Sequence, residues 1–298
     1  MSLLFALMPA VLLAPVPKDL EAQIKWRLAK GDVFYVSMDD RSGGTVTPKV
    51  AGVAQPPQQS QTDSAAVYKY EVLAADGGKR VVKVTVVSLR VALVLNGKPI
   101  EAPKLEADGA TVTLTLDEQF AVTKAEGFKE FAEKLGGKAA AVWGGDTEKG
   151  YTEGLRQVFA VVPPKGVSGG AKWAQKASYP LGGMGSLNRT AKCTAADLKD
   201  ATGHVVIDTV AEYDWAPPTE PADPKGPAPT VVVADLKAEK CKGTVTFDPK
   251  RGRLVASTEV MPFAGTMSMK VGDTAVDMAM DMTVTRTLTV TDAPPKAK

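Results

Sequence analysis

Five methionines carry the most chemistry this sequence offers. Met267, Met269, Met278, Met280 and Met282 fall at alternating positions in two neighbouring segments. Thioethers at that density can hold Cu(I) as soft ligands, or they can line a cavity that accepts varied apolar shapes. Copper sites of this sort want a His, Cys or Trp close by, and neither segment supplies one. The methionines are expected first to fill an ordinary core and second to line an apolar ligand cavity or partner groove, for which they are the candidate lining residues. No metal and no cofactor is expected.

The other candidates are weaker. Cys193 and Cys241 are the only cysteines, and in an exported chain two cysteines most simply form one disulfide. The counter-argument is geometric, because sulfurs on strands that flank a third lie about 9.6 Å apart, too far to bond without a twist or bulge. His204 is the only histidine, which rules out multi-histidine zinc or iron sites, and no GxSxG elbow supplies a nucleophile for it. GGMGSL from Gly182 lacks the lysine and serine of a phosphate loop. Asp277 and Asp281 share one strand face about 13 Å apart, too far for a coupled catalytic pair. A carboxylate hydrolase is thus the least favoured reading and no catalytic residue is assigned. Asn188-Arg189-Thr190 matches a glycosylation acceptor, which matters only in a eukaryotic secretory route.

The elements that position the methionines are legible. From Val276 to Val290 apolar residues alternate with Asp and Thr, and Met261, Phe263, Met267, Met269 and Val271 alternate just upstream. A period of two means strands with one dry face. Gly272-Asp273 between them predicts a tight hairpin, which sets Met269 opposite Val276, Met267 opposite Met278, Gly265 opposite Met280 and Phe263 opposite Met282. Arg286 is the only charge on that dry stripe, and the same register puts Glu259 opposite it as an ion-pair partner. Leu254, Ala256 and Val260 favour the other face, so a bulge is expected near residues 258–262.

Further strand-like segments run over Gln23–Leu28, Val33–Met38, Ala65–Leu73, Lys79–Leu95, Ala110–Leu116 and Phe120–Thr123, with turns at Asp76-Gly77-Gly78 and Asp117–Gln119. GFKEFAEKLGG predicts a short helix ended by glycines, and a second helix is predicted from about Thr147 to Phe159, before Pro163-Pro164. Ala51–Ser64 and the six-proline stretch 216–229 read as exposed loops.

The order of features then starts again. Gly31–Phe34 has a counterpart in Gly170–Trp173, the hairpin around Gly77-Gly78 in one around Gly203, and TVTLTLDEQFAV from Thr111 in TVTFDPKRGRLV from Thr244. Duplication of one β unit accounts for this. The expected organisation is a leader over 1–20, a first β repeat with helices at its end over 21–162, a second β repeat over 163–292, and a tail over 293–298.

The net charge of +2 comes from 36 basic and 34 acidic residues scattered in both signs, so no field exists to gather nucleic acid. Leu3–Ala14 is an apolar run too short to span a bilayer but right for a signal-peptide core. The chain is expected to be exported, to the periplasm or beyond, with no transmembrane segment after the leader.

The series GDVF, TVTLTLDEQFAVTKAEGFKEFAEKL, VVPPKGVSGGAKW and GTVTFDPKRGRLVAS resembles a family of exported bacterial proteins, notably of planctomycete type, known only as a domain of unknown function. That resemblance implies no activity and transfers no site residue. In shape alone, long antiparallel strands with one or two helices are also similar to half-barrel lipoprotein carriers. The expected fold is mainly β: two related halves in large curved antiparallel sheets, with one or two short helices between them. The expected function is non-enzymatic binding of an apolar small molecule, a lipid or an envelope protein. A purely structural or interaction protein with a filled core is the main alternative.

Overall fold

In a computed structural model, residues 24–101, 107–135, 148–163, 165–180, 185–199, 203–217, 230–271 and 274–295 are described. The expected leader, the Gly272-Asp273 turn and most of the 216–229 loop lie outside them. Thirteen strands form one curved, open, antiparallel sheet. They are β1 (Val33–Val50), β2 (Val53–Ala54), β3 (Gln58–Asp76), β4 (Lys79–Leu95), β5 (Lys98–Ile100), β6 (Thr111–Leu116), β7 (Val122–Glu126), β8 (Lys172–Pro180), β9 (Ser186–Lys199), β10 (Val205–Ala216), β11 (Thr230–Asp248), β12 (Arg253–Val271) and β13 (Thr274–Thr291). Among the described residues there are two helices, α1 (Phe128–Lys134) and α2 (Glu148–Arg156).

The strand order is β7-β6-β4-β3-β1-β13-β12-β11-β10-β9-β8, with β2 beside β1 and β5 beside β4. The chain therefore enters at the centre, meanders to one edge, crosses over through the helices to the opposite edge, and meanders back until β13 meets β1. Both meanders advance in the same direction across the sheet. The helix α2 packs against both edge strands, β7 and β8, so the sheet curls into a half-barrel whose open seam is spanned by a helix.

The core fills one end of this half-barrel. Phe159, just after α2, sits against Trp26, Phe34, Tyr70 and Phe120 with ring centroids 5.2–6.5 Å apart, distances typical of favourable aromatic pairs. The predicted strand Gln23–Leu28 is instead an extended segment with one bridge, Ile24 to Val167. Ile24 and Trp26 are buried on one side of it, and the Arg27 amide donates to the Gly252 carbonyl at 2.9 Å. The segment lies beneath the core, where its alternation serves burial without a sheet partner.

The loop expected over Ala51–Ser64 holds β2 and the first third of β3, with Val46 paired to Gln58 and Gly44 to Ser60. Its side chains are polar on both faces because this end of the sheet is uncovered, and a two-sided polar strand carries no hydrophobic period to read.

The hairpin register agrees with the sequence reading throughout: Met269↔Val276, Met267↔Met278, Gly265↔Met280, Phe263↔Met282 and Glu259↔Arg286. The bulge is displaced. β12 pairs with β13 without a break from Ala256 to Val271, and its irregularity falls between Leu254 and Ala256, opposite Thr246 and Phe247. One extra residue there lets Leu254 and Met261, of opposite parity, both be buried. Pro262, which has no N–H to give, faces a stretch of β11 between Lys237 and Lys242 where pairing is interrupted.

Candidate binding site

A cavity of about 400 Å³ lies between the inner face of the sheet and α2 with the turns that follow it. Its walls are mainly apolar: Met38, Ala66, Leu89, Leu155, Val158, Val161, Val245, Met261, Phe263, Val284 and Leu288. Most strands contribute alternate residues, as the pleat requires, while β12 adds the consecutive Ser257, Thr258 and Glu259. On the helix side Gly150, Gly154 and Val158 present one face, and the glycines leave space there: a Cβ on Gly154 would meet nothing within 4 Å. A second hollow of about 460 Å³ over Ser42–Gly44 and Gln59–Gln61 has walls of glycine and polar side chains, unsuited to an apolar guest.

Across the apolar cavity runs a band of charge. Arg286 on β13 lies in register with Asp40 on β1 and with Glu259 on β12. Its bidentate partner is Asp40, with Nε to Oδ1 at 2.8 Å and Nη2 to Oδ2 at 3.0 Å. The ion pair expected with Glu259 is thus replaced. Glu259 instead accepts from Arg189 Nη2 at 3.0 Å and Nε at 3.2 Å, and from the Tyr213 hydroxyl at 2.9 Å. Gln175 accepts from the remaining guanidinium nitrogen of Arg189 at 3.3 Å. Gly243 is what allows these groups to meet over β11. It is in register with both Glu259 and Thr209, and a Cβ there would come within 2.6 Å of the Thr209 hydroxyl.

Burial works against both guanidinium charges, but the paired carboxylates outweigh it and hold Arg286 and Arg189 above their ordinary values. The two pairs differ in access. Arg189 and Glu259 keep 11% and 15% of their side-chain surface, whereas Arg286 keeps 35%, open to the cavity it lines. Burial raises the phenols of Tyr68, Tyr151, Tyr179 and Tyr213, so the cavity's hydroxyls stay neutral.

The methionines lie beyond this cavity. Met267, Met269, Met278, Met280 and Met282 are half-buried on the same inner face, beginning where Phe263 and Val284 end the cavity wall. Val46 on β1, in register with Met280, and Val231 on β11, in register with Met269, widen the apolar track. Asp277 and Asp281 are exposed on the outer face, where Asp277 accepts a hydrogen bond from Ser268 at 2.6 Å. His204 stands next to β10 with Nε2 3.9 Å from an Asp248 oxygen.

Cys193 and Cys241 are free, buried thiols, so the expected disulfide is not formed. The reason is the one the strand spacing gives: β10 separates them, with Thr209 in register with Cys193 and Ala211 with Cys241. Burial raises both, Cys241 to about 11.

Asp40, Arg189 and Tyr213 were not singled out for the site by sequence. Asp40 and Arg286 are 246 residues apart, and only the pairing of the first strand with the last brings them together. Arg286, as the one charge on a dry stripe, was the available signal.

No protein-family model matches the sequence, and no curated protein matches it. Among solved structures, the chain is similar to lipovitellin, in a study of lipid–protein interactions, at 8% identity and a TM-score of 0.49 over 91% of this chain and 26% of that one. It thus spans about a quarter of the lipovitellin chain. It is similar to DynF of the dynemicin biosynthesis pathway of Micromonospora chersina at 10% identity and a TM-score of 0.20, over 88% of this chain and 82% of that one. It is also similar to the outer membrane protein OprG of Pseudomonas aeruginosa at 8% identity and a TM-score of 0.18, over 89% and 98%. At these identities and scores none of the three assigns the chain a family or an activity.

Proposed function

We propose that the protein is an exported, non-enzymatic binding protein that takes an apolar ligand into the curve of its sheet. The observation that supports this best is the cavity of about 400 Å³ between sheet and helix, within the range of about 300–1,000 Å³ usual for small-molecule sites. A filled structural core fits less well, because close-packed interiors leave few voids larger than a water molecule. In this reading the methionines extend the cavity's wall outward, and their flexible side chains adapt to the part of the ligand that protrudes. The expected setting is the cell envelope, where lipids are at hand. Among the described residues no helix is long and apolar enough to cross a membrane.

Native mass spectrometry of the full-length protein purified from membranes tests the proposal. A co-purified lipid-sized adduct, released on denaturation, is the expected result. Adduct-free protein even after incubation with a membrane lipid extract would contradict it.

A further inference from the structure

Four charged side chains line the cavity among the described residues: Asp40, Arg189, Glu259 and Arg286. Each guanidinium is already matched by a carboxylate, so the walls carry no net charge. What they do carry is unused donor capacity. Arg286 bonds Asp40 through Nε and Nη2, and its Nη1 has no partner among the described residues while the side chain keeps 35% of its surface accessible. The Tyr179 hydroxyl, within electrostatic range of both arginines, has only a long contact of 3.4 Å with Gln157, near the limit for a hydrogen bond.

An anionic headgroup placed here would add an unmatched charge in a largely apolar enclosure, which is costly. A neutral acceptor would use the free donors without disturbing the balance. We infer that the ligand is an apolar molecule ending in a neutral hydrogen-bond acceptor, an ester or ketone carbonyl, held by Arg286 Nη1 and Tyr179, and not a free fatty-acid anion. This rests on the binding reading above and specifies the chemistry of the polar end. Asp40 is the residue that sets the selectivity, because it cancels the charge of the more accessible of the two arginines that line the cavity.

The test is displacement of the neutral fluorophore N-phenyl-1-naphthylamine from the full-length protein at neutral pH by methyl palmitate and by palmitate. The wild type is expected to bind the ester at least about tenfold tighter than the acid anion, a margin set by the cost of an uncompensated charge. Asp40→Asn, which frees the Arg286 charge with little change in shape, is expected to reverse the order. Palmitate binding to the wild type as tightly as the ester would overturn the inference and leave the binding reading intact. An ester preference unmoved in a folded Asp40→Asn would also overturn it. Binding of neither ligand nor fluorophore would remove both. Should Asp40→Asn not fold, the wild-type comparison decides alone.

Discussion

At the scale of single residues, the polar band is held by reciprocal dependence. Removing one member of a nearly closed pair strands the other, so Arg189→Met should destabilise by about 2–4 kcal/mol, and adding Glu259→Leu to it should recover most of that loss. Chemical denaturation of the two variants checks this, and equal stability of single and double variant would deny that the charge is the cause. The thiols make a second case. Cys241 is raised from 9.0 to about 11 in the folded chain, so its contribution is fully present below pH 9 and is lost as pH climbs toward 11. Wild-type stability should fall more steeply over that window than that of Cys241→Ala. Under non-reducing denaturation, alkylation should add two groups per chain, one to each cysteine. The Arg286–Glu259 register was legible because fifteen residues of unbroken alternation fix it. The true partner of Arg286 was not, because Asp40 sits in a stretch, DDRSGG, whose polarity hides that it is a strand.

At the scale of elements, the hairpin of β12 and β13 and the strand β4 follow directly from their alternation, and both helices lie within their predicted spans. The long uncovered ends of β1 and β3 were missed, since strands that are wet on both sides leave no periodic trace and are ordered by propagation from the covered end. One glycine shows what holds the paired elements at their spacing. Gly265 has φ of +146°, and a Cβ there would lie 1.9 Å from the Asp235 carbonyl oxygen. Gly265→Ala should therefore cost at least about 2 kcal/mol, more than the intrinsic penalty for replacing a glycine with positive φ, and thermal melting measures it. By contrast Met280→Ser, on a half-buried site outside the core, should cost about 1 kcal/mol or less. If the outer track is used, it should weaken binding of long-chain ligands more than of short ones. Phe159, at the hub of the aromatic cluster, should cost about 3–5 kcal/mol when cut to Ala, with loss of the α2 contact to the sheet.

At the scale of the whole molecule, a single meandering sheet is brought round until both of its edges meet one helix, and a void of about 400 Å³ is left between them. The succession of turns and strands was legible in the sequence; the joining of the sheet through β1 and β13 was not, because nothing local marks which strands become neighbours at the centre. The central claim is that the space under α2 is occupied by ligand. Gly154→Phe places a ring where a Cβ meets open space and removes a helix-weakening glycine, whose replacement is worth about 0.5–1 kcal/mol. Titration with N-phenyl-1-naphthylamine should give one saturable site in the wild type and none in Gly154→Phe, with the melting temperature of the variant unchanged or raised. Equal saturable binding by both proteins, or no binding by the wild type, would contradict the account.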